Sequence, residues 1–156
     1  MQARLSPSSS AILPQFAKHL VAAHKVLAAS TLPAATLELV NIRSSQINGC
    51  GACLDMHIKE AALAGETALR INLVAAWRET TVFTDAERAA LELAEQGARL
   101  SDSSGITDEA WASATGFYDD EQLAALVSQI SLINAFNRMN VITKQAGGSY
   151  VPGHLG

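Results

Sequence analysis

Aromatic side chains are scarce in this sequence: Phe, Trp and Tyr together make up 5% of its 156 residues. Sheet proteins draw heavily on aromatic and β-branched residues, so a β-sandwich or barrel is disfavoured. Basic residues are not in excess either, because 11 Lys and Arg stand against 15 Asp and Glu, for a net charge of −4. Such a chain offers no basic stripe to a phosphate backbone, and we expect no nucleic-acid partner.

Long apolar runs are also missing. No segment approaches the roughly 18 consecutive apolar residues of a membrane-spanning helix, and the N-terminus lacks the pattern of a cleavable signal. We therefore expect a soluble, cytoplasmic protein without membrane contact. The chain length suits a single domain that buries roughly 70% of the surface of its unfolded state.

Alanine and leucine dominate the hydrophobic residues, which form 49% of the chain. Apolar positions recur at helical spacing, and capping or breaking residues separate the segments, so the sequence predicts an all-α fold, a compact bundle of about six to seven helices. The predicted helices cover residues 12–29, 33–48, 50–64, 68–77, 84–100 and 107–116, and a long last helix starts at 119 and includes Val141.

The ends of the chain differ in composition from the middle. The Ser-rich residues 1–10 predict a flexible N-terminal arm, and the Gly- and Pro-containing residues 147–156 predict a frayed C-terminal tail. Residues 11–146 between them are predicted to form one helical domain.

Two cysteines occur in the whole chain, Cys50 and Cys53, and His57 follows them. In a helix that starts near Cys50, offsets of three, four and seven residues place all three side chains on one face. A structural disulfide is disfavoured, because the cytosol keeps thiols reduced and a loop this short restrains the unfolded chain little. Redox chemistry or metal binding explains the pair better than packing does.

Redox chemistry suits these residues. Asn48 and Gly49 predict a sharp corner that delivers Cys50 to a helix N-terminus, where unpaired N–H groups and the helix dipole favour a thiolate. His57 lies one turn beyond Cys53 and can accept its proton. A thiolate attacks a hydroperoxide to give a sulfenic acid, which a second thiol three residues away converts to a disulfide. The helix position favours Cys50 as the attacking thiol, and the His57 spacing favours Cys53.

Other uses of the same side chains stay open. A zinc site could take both cysteines and His57, with His19, His24 or Glu38 as a fourth ligand, in a non-catalytic metal-binding or redox-sensing module. A purely structural oligomerising helical protein is a further alternative. A thioredoxin fold is rejected, because its C-x-x-C should follow a strand and the preceding residues read as helix.

Four polar side chains outside the motif also need interpretation. His24, like His19, is interpreted as a partly exposed helix residue. Asn134 and Asn137 lie within an apolar face of the last helix and need hydrogen-bond partners if they are buried. They therefore indicate an interface, a site wall or a solvated stripe.

Glu38 precedes Cys50 by twelve residues, and with Cys53 and His57 it completes an E…C-x-x-C-x-x-x-H pattern. This pattern resembles the signature of the alkylhydroperoxidase D-like family within the carboxymuconolactone decarboxylase-like superfamily. The segments at residues 39–50, 83–90 and 133–138 extend the resemblance to the peroxidase-related branch over roughly residues 15–145. By itself, Glu38 would be interpreted as an ordinary surface carboxylate.

The resemblance implies an all-helical protein that forms homotrimers or hexamers and acts as a thiol peroxidase or disulfide reductase in antioxidant defence. It implies Cys53 as the thiol that attacks peroxide, Cys50 as the resolving thiol, and His57 with Glu38 as a proton relay. Electrons would come from a dithiol donor, such as a lipoyl-bearing protein, and a peroxiredoxin is a further partner. No cofactor and no metal are expected. Ala52 stands where better-known relatives carry a histidine between the cysteines.

Overall fold

The structure, a computed structural model, describes residues 2–103 and 105–153. Within these residues the chain forms seven α-helices and no strand, so the predicted all-α fold is confirmed. The helices are α1 (Ile12–Ala28), α2 (Ala34–Asn48), α3 (Gly51–Leu63), α4 (Ala68–Leu73), α5 (Asp85–Ala98), α6 (Asp108–Thr115) and α7 (Asp120–Thr143). Short 3₁₀ segments lie at Pro7–Ser9 and Val74–Glu79.

Side-chain caps fix several helix starts. The Thr84 hydroxyl accepts a hydrogen bond from the Glu87 N–H, and the Glu87 carboxylate accepts one from the Thr84 N–H. Asp119 and Gln122 make the same reciprocal pair at the start of α7. Both pairs are capping boxes at helix starts that the sequence predicts, and each satisfies two N–H groups that a helix terminus leaves without an internal partner.

The fourth predicted helix differs from the structure. The sequence predicts one helix over residues 68–77, but α4 ends at Leu73 and the chain continues as a 3₁₀ segment, with non-helical angles at Ala76. The tighter turn accompanies burial of Trp77, whose indole N–H donates to Glu95. A tertiary hydrogen bond to α5 therefore competes with the local helical pattern.

Helix α2 lies at the centre of the fold and contacts α3, α5 and α7. It is buried around most of its circumference, as a helix with apolar or small side chains on every face must be. Its buried residues are Thr36, Leu37, Leu39, Val40, Asn41, Ile42, Ser44 and Ser45. One apolar cluster joins α2 to α1, α5, α6 and α7, and a second joins it to α3, α4 and the 3₁₀ segment that follows.

The chain after α7 lies against α3. The N–H groups of Gly148 and Tyr150 both donate to the Asp55 carboxylate, and the Lys59 ammonium donates to the Tyr150 carbonyl. The division into arm, domain and frayed tail stays a prediction. No helix in the described parts of the chain combines the length and the apolarity needed to cross a bilayer.

Candidate active site

The corner between α2 and α3 places the first cysteine. Helix α2 ends at Asn48, and Gly49 adopts a left-handed conformation (φ 65°, ψ 30°) that glycine reaches without a steric penalty. Cys50 then has extended angles and is the N-cap residue of α3, where its sulfur accepts a hydrogen bond of 3.3 Å from the Cys53 N–H. The predicted corner and the predicted helix-terminal position of Cys50 are both confirmed.

Cys50 and Cys53 are joined by a disulfide across the first turn of α3, with their Cα atoms 5.4 Å apart. The structure therefore represents the oxidised form. Both residues are buried, at 1% and 4% exposure, and they pack against Ile133 and Phe136 of α7. This environment limits access of solvent to the disulfide.

Four residues predicted for the site lie together. His57 follows Cys53 by one helical turn and is 7% exposed. Its Nδ1 lies 2.9 Å from Oε2 of Glu38, which comes from α2. Glu38 thus faces inward and is not the ordinary surface carboxylate of the local pattern. The cysteines, His57 and Glu38 form one continuous group, although their chemical roles stay predictions.

A chain of amides continues from Glu38 into α7, which sequence reasoning missed. The Asn41 amide donates to Oε1 of Glu38 at 3.5 Å, and Oδ1 of Asn41 accepts from Nε2 of Gln129 at 2.5 Å. Because an ionised carboxylate only accepts hydrogen bonds, both amides are oriented by Glu38. Oε1 of Gln129 is left buried, with no hydrogen-bond partner found in the described residues.

A small pocket of about 100 Å³ opens beside Cys53. Its apolar walls are Val21, Met56, Leu132, Ile133 and Phe136, and its polar lining residues are His24, Cys53, His57, Gln129 and Asn140. Nδ2 of Asn140 donates to the Cys53 sulfur at 3.4 Å. Cys53 lines this pocket, whereas Cys50 is not among its lining residues.

His24 reaches the pocket from α1, a helix distant in sequence from the cysteines. It is partly buried, whereas His19 on the same helix is exposed. Burial lowers the pKa of His24 below its ordinary value; the negative charge of Glu38 opposes this shift and the neighbouring His57 adds to it. Beyond its consideration as a fourth zinc ligand, the sequence does not indicate that His24 belongs to the site, because the helical pattern of α1 does not show which residues face the pocket.

Further amides hold the corner before Cys50 against α7. Nδ2 of Asn48 donates to Oδ1 of Asn134 and to Oδ1 of Asn137, each at 2.9 Å. Nδ2 of Asn137 donates in turn to the Ser45 hydroxyl at 3.0 Å. The expectation that Asn134 and Asn137 need partners when buried is confirmed, and these partners position the cysteine motif.

No group of three or more His, Cys, Asp or Glu side chains arranged to hold a metal ion is found in residues 2–103 and 105–153. In particular, the fourth zinc ligand considered from the sequence does not join the two cysteines and His57 in such a group. His19 is exposed, and Glu38 contacts His57.

Comparison with known proteins identifies relatives of this chain. The sequence profile of the carboxymuconolactone decarboxylase family matches residues 14–96. YdfG of Bacillus subtilis, an uncharacterized protein, is 38% identical over 130 residues, which cover 83% of this chain and 88% of YdfG. Both comparisons include the residues of the site from Glu38 to His57.

Solved structures share the fold. ATU0492 of Agrobacterium tumefaciens, a protein of unknown function and candidate antioxidant defence protein AhpD, matches with a TM-score of 0.87 and 29% identity over 96% of this chain and all of that chain. The debrominase Bmp8 matches with a TM-score of 0.75 and 20% identity, over 87% of this chain and 73% of its own. The second likeness concerns the fold alone.

Proposed function

The chain belongs to the carboxymuconolactone decarboxylase family, within its alkylhydroperoxidase D-like group, and from this premise we propose that it is a thiol-dependent peroxidase and disulfide reductase of antioxidant defence. The observation that carries the proposal is the position of Cys53. Cys53 and His57 line the same pocket, and Glu38 holds His57 in place through a contact with its Nδ1. A nucleophile, a base and an orienting carboxylate are the parts that thiol catalysis needs.

The proposed reaction starts from the reduced protein. His57 accepts the Cys53 proton, and the thiolate attacks the terminal oxygen of a hydroperoxide. An S–O bond forms while the O–O bond breaks, and the departing alkoxide takes a proton from the His57 imidazolium and leaves as an alcohol. Cys53 is then a sulfenic acid, which the Cys50 thiol attacks to form the disulfide and release water.

Two features support Cys53 as the attacking thiol. Cys53 lines the pocket and Cys50 does not, so a substrate in the pocket meets Cys53 first. The Asn140 amide N–H lies 3.4 Å from the Cys53 sulfur and would stabilise a thiolate there. The N-cap position of Cys50 favours a thiolate at the later step, when a reductant attacks Cys53 and Cys50 departs.

The walls and volume of the pocket indicate the chemical class of the substrate. The apolar side chains and the small volume suit a small organic hydroperoxide. To complete the cycle, we propose that a dithiol such as a lipoyl group on a partner protein reduces the disulfide and is itself oxidised to a disulfide. A peroxiredoxin that receives electrons from this protein is the alternative redox partner.

Self-association and a cytoplasmic location complete the proposal. Large apolar side chains on α1 are exposed, among them Ile12, Phe16 and Val26. Such a surface supports burial against further copies in a homotrimer or hexamer. Light scattering measures the oligomeric state, and a monomer mass would contradict this part of the proposal.

The number of hydroperoxide molecules consumed per chain distinguishes a peroxidase from a redox sensor. A peroxidase is reduced and reacts again, whereas a sensor would form the same disulfide only once. The experiment follows consumption of tert-butyl hydroperoxide with dihydrolipoamide as the electron donor. We expect multiple turnovers in the wild type, none in Cys53→Ser, and in Cys50→Ser a sulfenic acid that mass spectrometry locates at Cys53. Equal turnover in Cys53→Ser would exclude the proposed chemistry, and one oxidation per chain without turnover would indicate a sensor.

A further inference from the structure

His24 is the titratable side chain of the pocket that the mechanism above does not use. It lies on α1, and α1 packs against α7. The fold thus brings to the pocket an imidazole that precedes Cys53 by 29 residues. His24, Cys53 and His57 line one pocket of about 100 Å³, a volume that leaves a bound small molecule in contact with all of them.

The two imidazoles of the pocket differ in their hydrogen bonds. Nδ1 of His57 is engaged by Glu38, which leaves its other ring nitrogen for Cys53. No hydrogen bond to the His24 ring is found within residues 2–103 and 105–153, so both of its ring nitrogens are available to a ligand. Ala52, between the cysteines, has no side-chain donor to offer.

Cleavage of a hydroperoxide makes two demands on the site. The thiol must lose a proton, and the oxygen that carries the alkyl group must be stabilised as negative charge develops on it. His57 accepts the proton of the thiol. The departing oxygen needs a second hydrogen-bond donor that faces the same pocket, because it becomes negative while the O–O bond breaks and before it takes a proton from His57.

We propose, on the basis of the peroxidase function inferred above, that His24 is a substrate-contacting catalytic residue. Its ring N–H donates a hydrogen bond to the oxygen that departs with the alkyl group. The S–O bond forms and the O–O bond breaks as before, and the proton that completes the alcohol still comes from His57. His24 keeps its own proton throughout the step.

The environment of His24 suits a neutral donor. Burial lowers its pKa and His57 adds to that effect, whereas Glu38 opposes it. The ring is therefore held in the neutral form at neutral pH, with one N–H to donate. A neutral ring also avoids placing a second positive charge beside the His57 imidazolium that forms when Cys53 loses its proton.

The test compares single-turnover oxidation of fully reduced protein by tert-butyl hydroperoxide in variants of α1. His24→Ala removes the donor, and we expect the rate of disulfide formation to fall about 10²-fold, as when one donor to a developing oxyanion is lost. His24→Gln retains an N–H donor and is expected to restore most of that rate. His19→Ala changes an exposed histidine on the same helix and should oxidise at the wild-type rate.

Alkylation of Cys53 by iodoacetamide provides the second readout, because it needs the thiolate but breaks no O–O bond. We expect His24→Ala to be alkylated at the wild-type rate. Wild-type oxidation kinetics in His24→Ala would overturn the inference and leave the peroxidase intact, as would an equal slowing of alkylation. Failure of the wild type itself to react with the hydroperoxide would instead overturn the proposed function.

Discussion

Nδ1 of His57 lies 2.9 Å from Oε2 of Glu38, although 19 residues separate them in the chain. The corner at Gly49 explains the contact. Glu38 lies eleven residues before this corner and His57 eight residues after it, or about 16 Å and 12 Å along the two helix axes at 1.5 Å per residue. Helices α2 and α3 pack against each other, so residues at similar distances from the corner meet side by side.

This contact predicts the effect of Glu38→Gln. The amide cannot stabilise an imidazolium as a carboxylate does, so His57 becomes a weaker base for the Cys53 thiol. We expect the rate of Cys53 oxidation at neutral pH to fall about 10²-fold, and the pH at which Cys53 alkylation is half-maximal to rise.

The matched control for that variant is Glu92→Gln. Glu92 pairs with Arg78 and lies outside the pocket, so its neutralisation should leave both thiol rates unchanged. Equal rates in Glu38→Gln and the wild type would remove Glu38 from the proposed relay.

How much of the site the sequence predicts depends on the distance between its residues along the chain. Cys50, Cys53 and His57 lie within three helical turns, so helical periodicity alone places them on one face. Glu38 is predicted only through family resemblance, because local periodicity does not show how two helices pack. Gln129 bonds to Asn41 across 88 positions, and no local pattern predicts that pair.

The fold follows the same rule. Capping residues such as Thr84 and Asp119 act within one turn, and the helix starts predicted from them agree with the structure. Helix α4 ends before a 3₁₀ segment in which Trp77 contacts Glu95 of another helix, a contact that no local pattern shows, and the predicted end there is wrong. The position of His24 at the pocket is not predicted from the sequence for the same reason.

The hydrogen bonds from Asn48 to Asn134 and Asn137, here called the amide bridge, predict a loss of stability in Asn48→Ala. This variant removes two donated hydrogen bonds. Oδ1 of Asn134 keeps the hydrogen bond from Arg138, whereas Oδ1 of Asn137 loses its Asn48 donor. One unsatisfied buried acceptor costs about 1–3 kcal/mol, so we expect the free energy of unfolding to fall by about that amount.

Urea denaturation measures the change, with Asn72→Ala on the exposed surface of α4 as the control. The control should lie within about 0.5 kcal/mol of the wild type. An Asn48→Ala protein as stable as the control would show that the bridge does not hold the corner.

The close approach of Gly147 to α3 predicts a steric effect of Gly147→Ala. A Cβ atom at this position would collide with the Gly51 carbonyl and lie 3.2 Å from the Ala52 nitrogen. Backbone atoms cannot yield as side chains do, so we expect residues 147–153 to move away from α3. Hydrogen exchange at the Gly148 and Tyr150 amides should then become faster.

Ser149→Ala is the control for that displacement, because Ser149 is exposed and its substitution adds no atom. Exchange at both amides should match the wild type in this variant. If Gly147→Ala also leaves exchange unchanged, the close packing of Gly147 on Gly51 is not needed to hold the segment.

The titration of Asp55 predicts how the contact between the chain after α7 and α3 weakens in acid. Its carboxylate accepts hydrogen bonds from Lys59 and, at the main chain, from Tyr150 and Gly148, and these lower its pKa from 3.8 to about 2 although desolvation opposes the shift. When the chain after α7 detaches from α3, the Asp55 carboxylate loses these hydrogen bonds and its pKa returns towards 3.8. The detached state therefore binds more protons than the attached state between pH 3.8 and about pH 2. The contribution of Asp55 is therefore complete above pH 4 and declines as the pH falls towards 2.

Exchange of the Tyr150 amide between pH 3 and pH 5, expressed relative to an amide in the buried core such as Val40, measures this decline without the intrinsic pH dependence of exchange. We expect relative protection of Tyr150 to decrease as the pH falls below 4 in the wild type. In Asp55→Asn protection should be weaker at every pH and should change less with pH in this range, because the Asp55 carboxylate is gone while Glu60, which accepts a hydrogen bond from the Tyr150 hydroxyl, remains. A wild-type profile that is flat between pH 3 and pH 5, or one that Asp55→Asn reproduces, would show that Asp55 does not anchor the chain after α7.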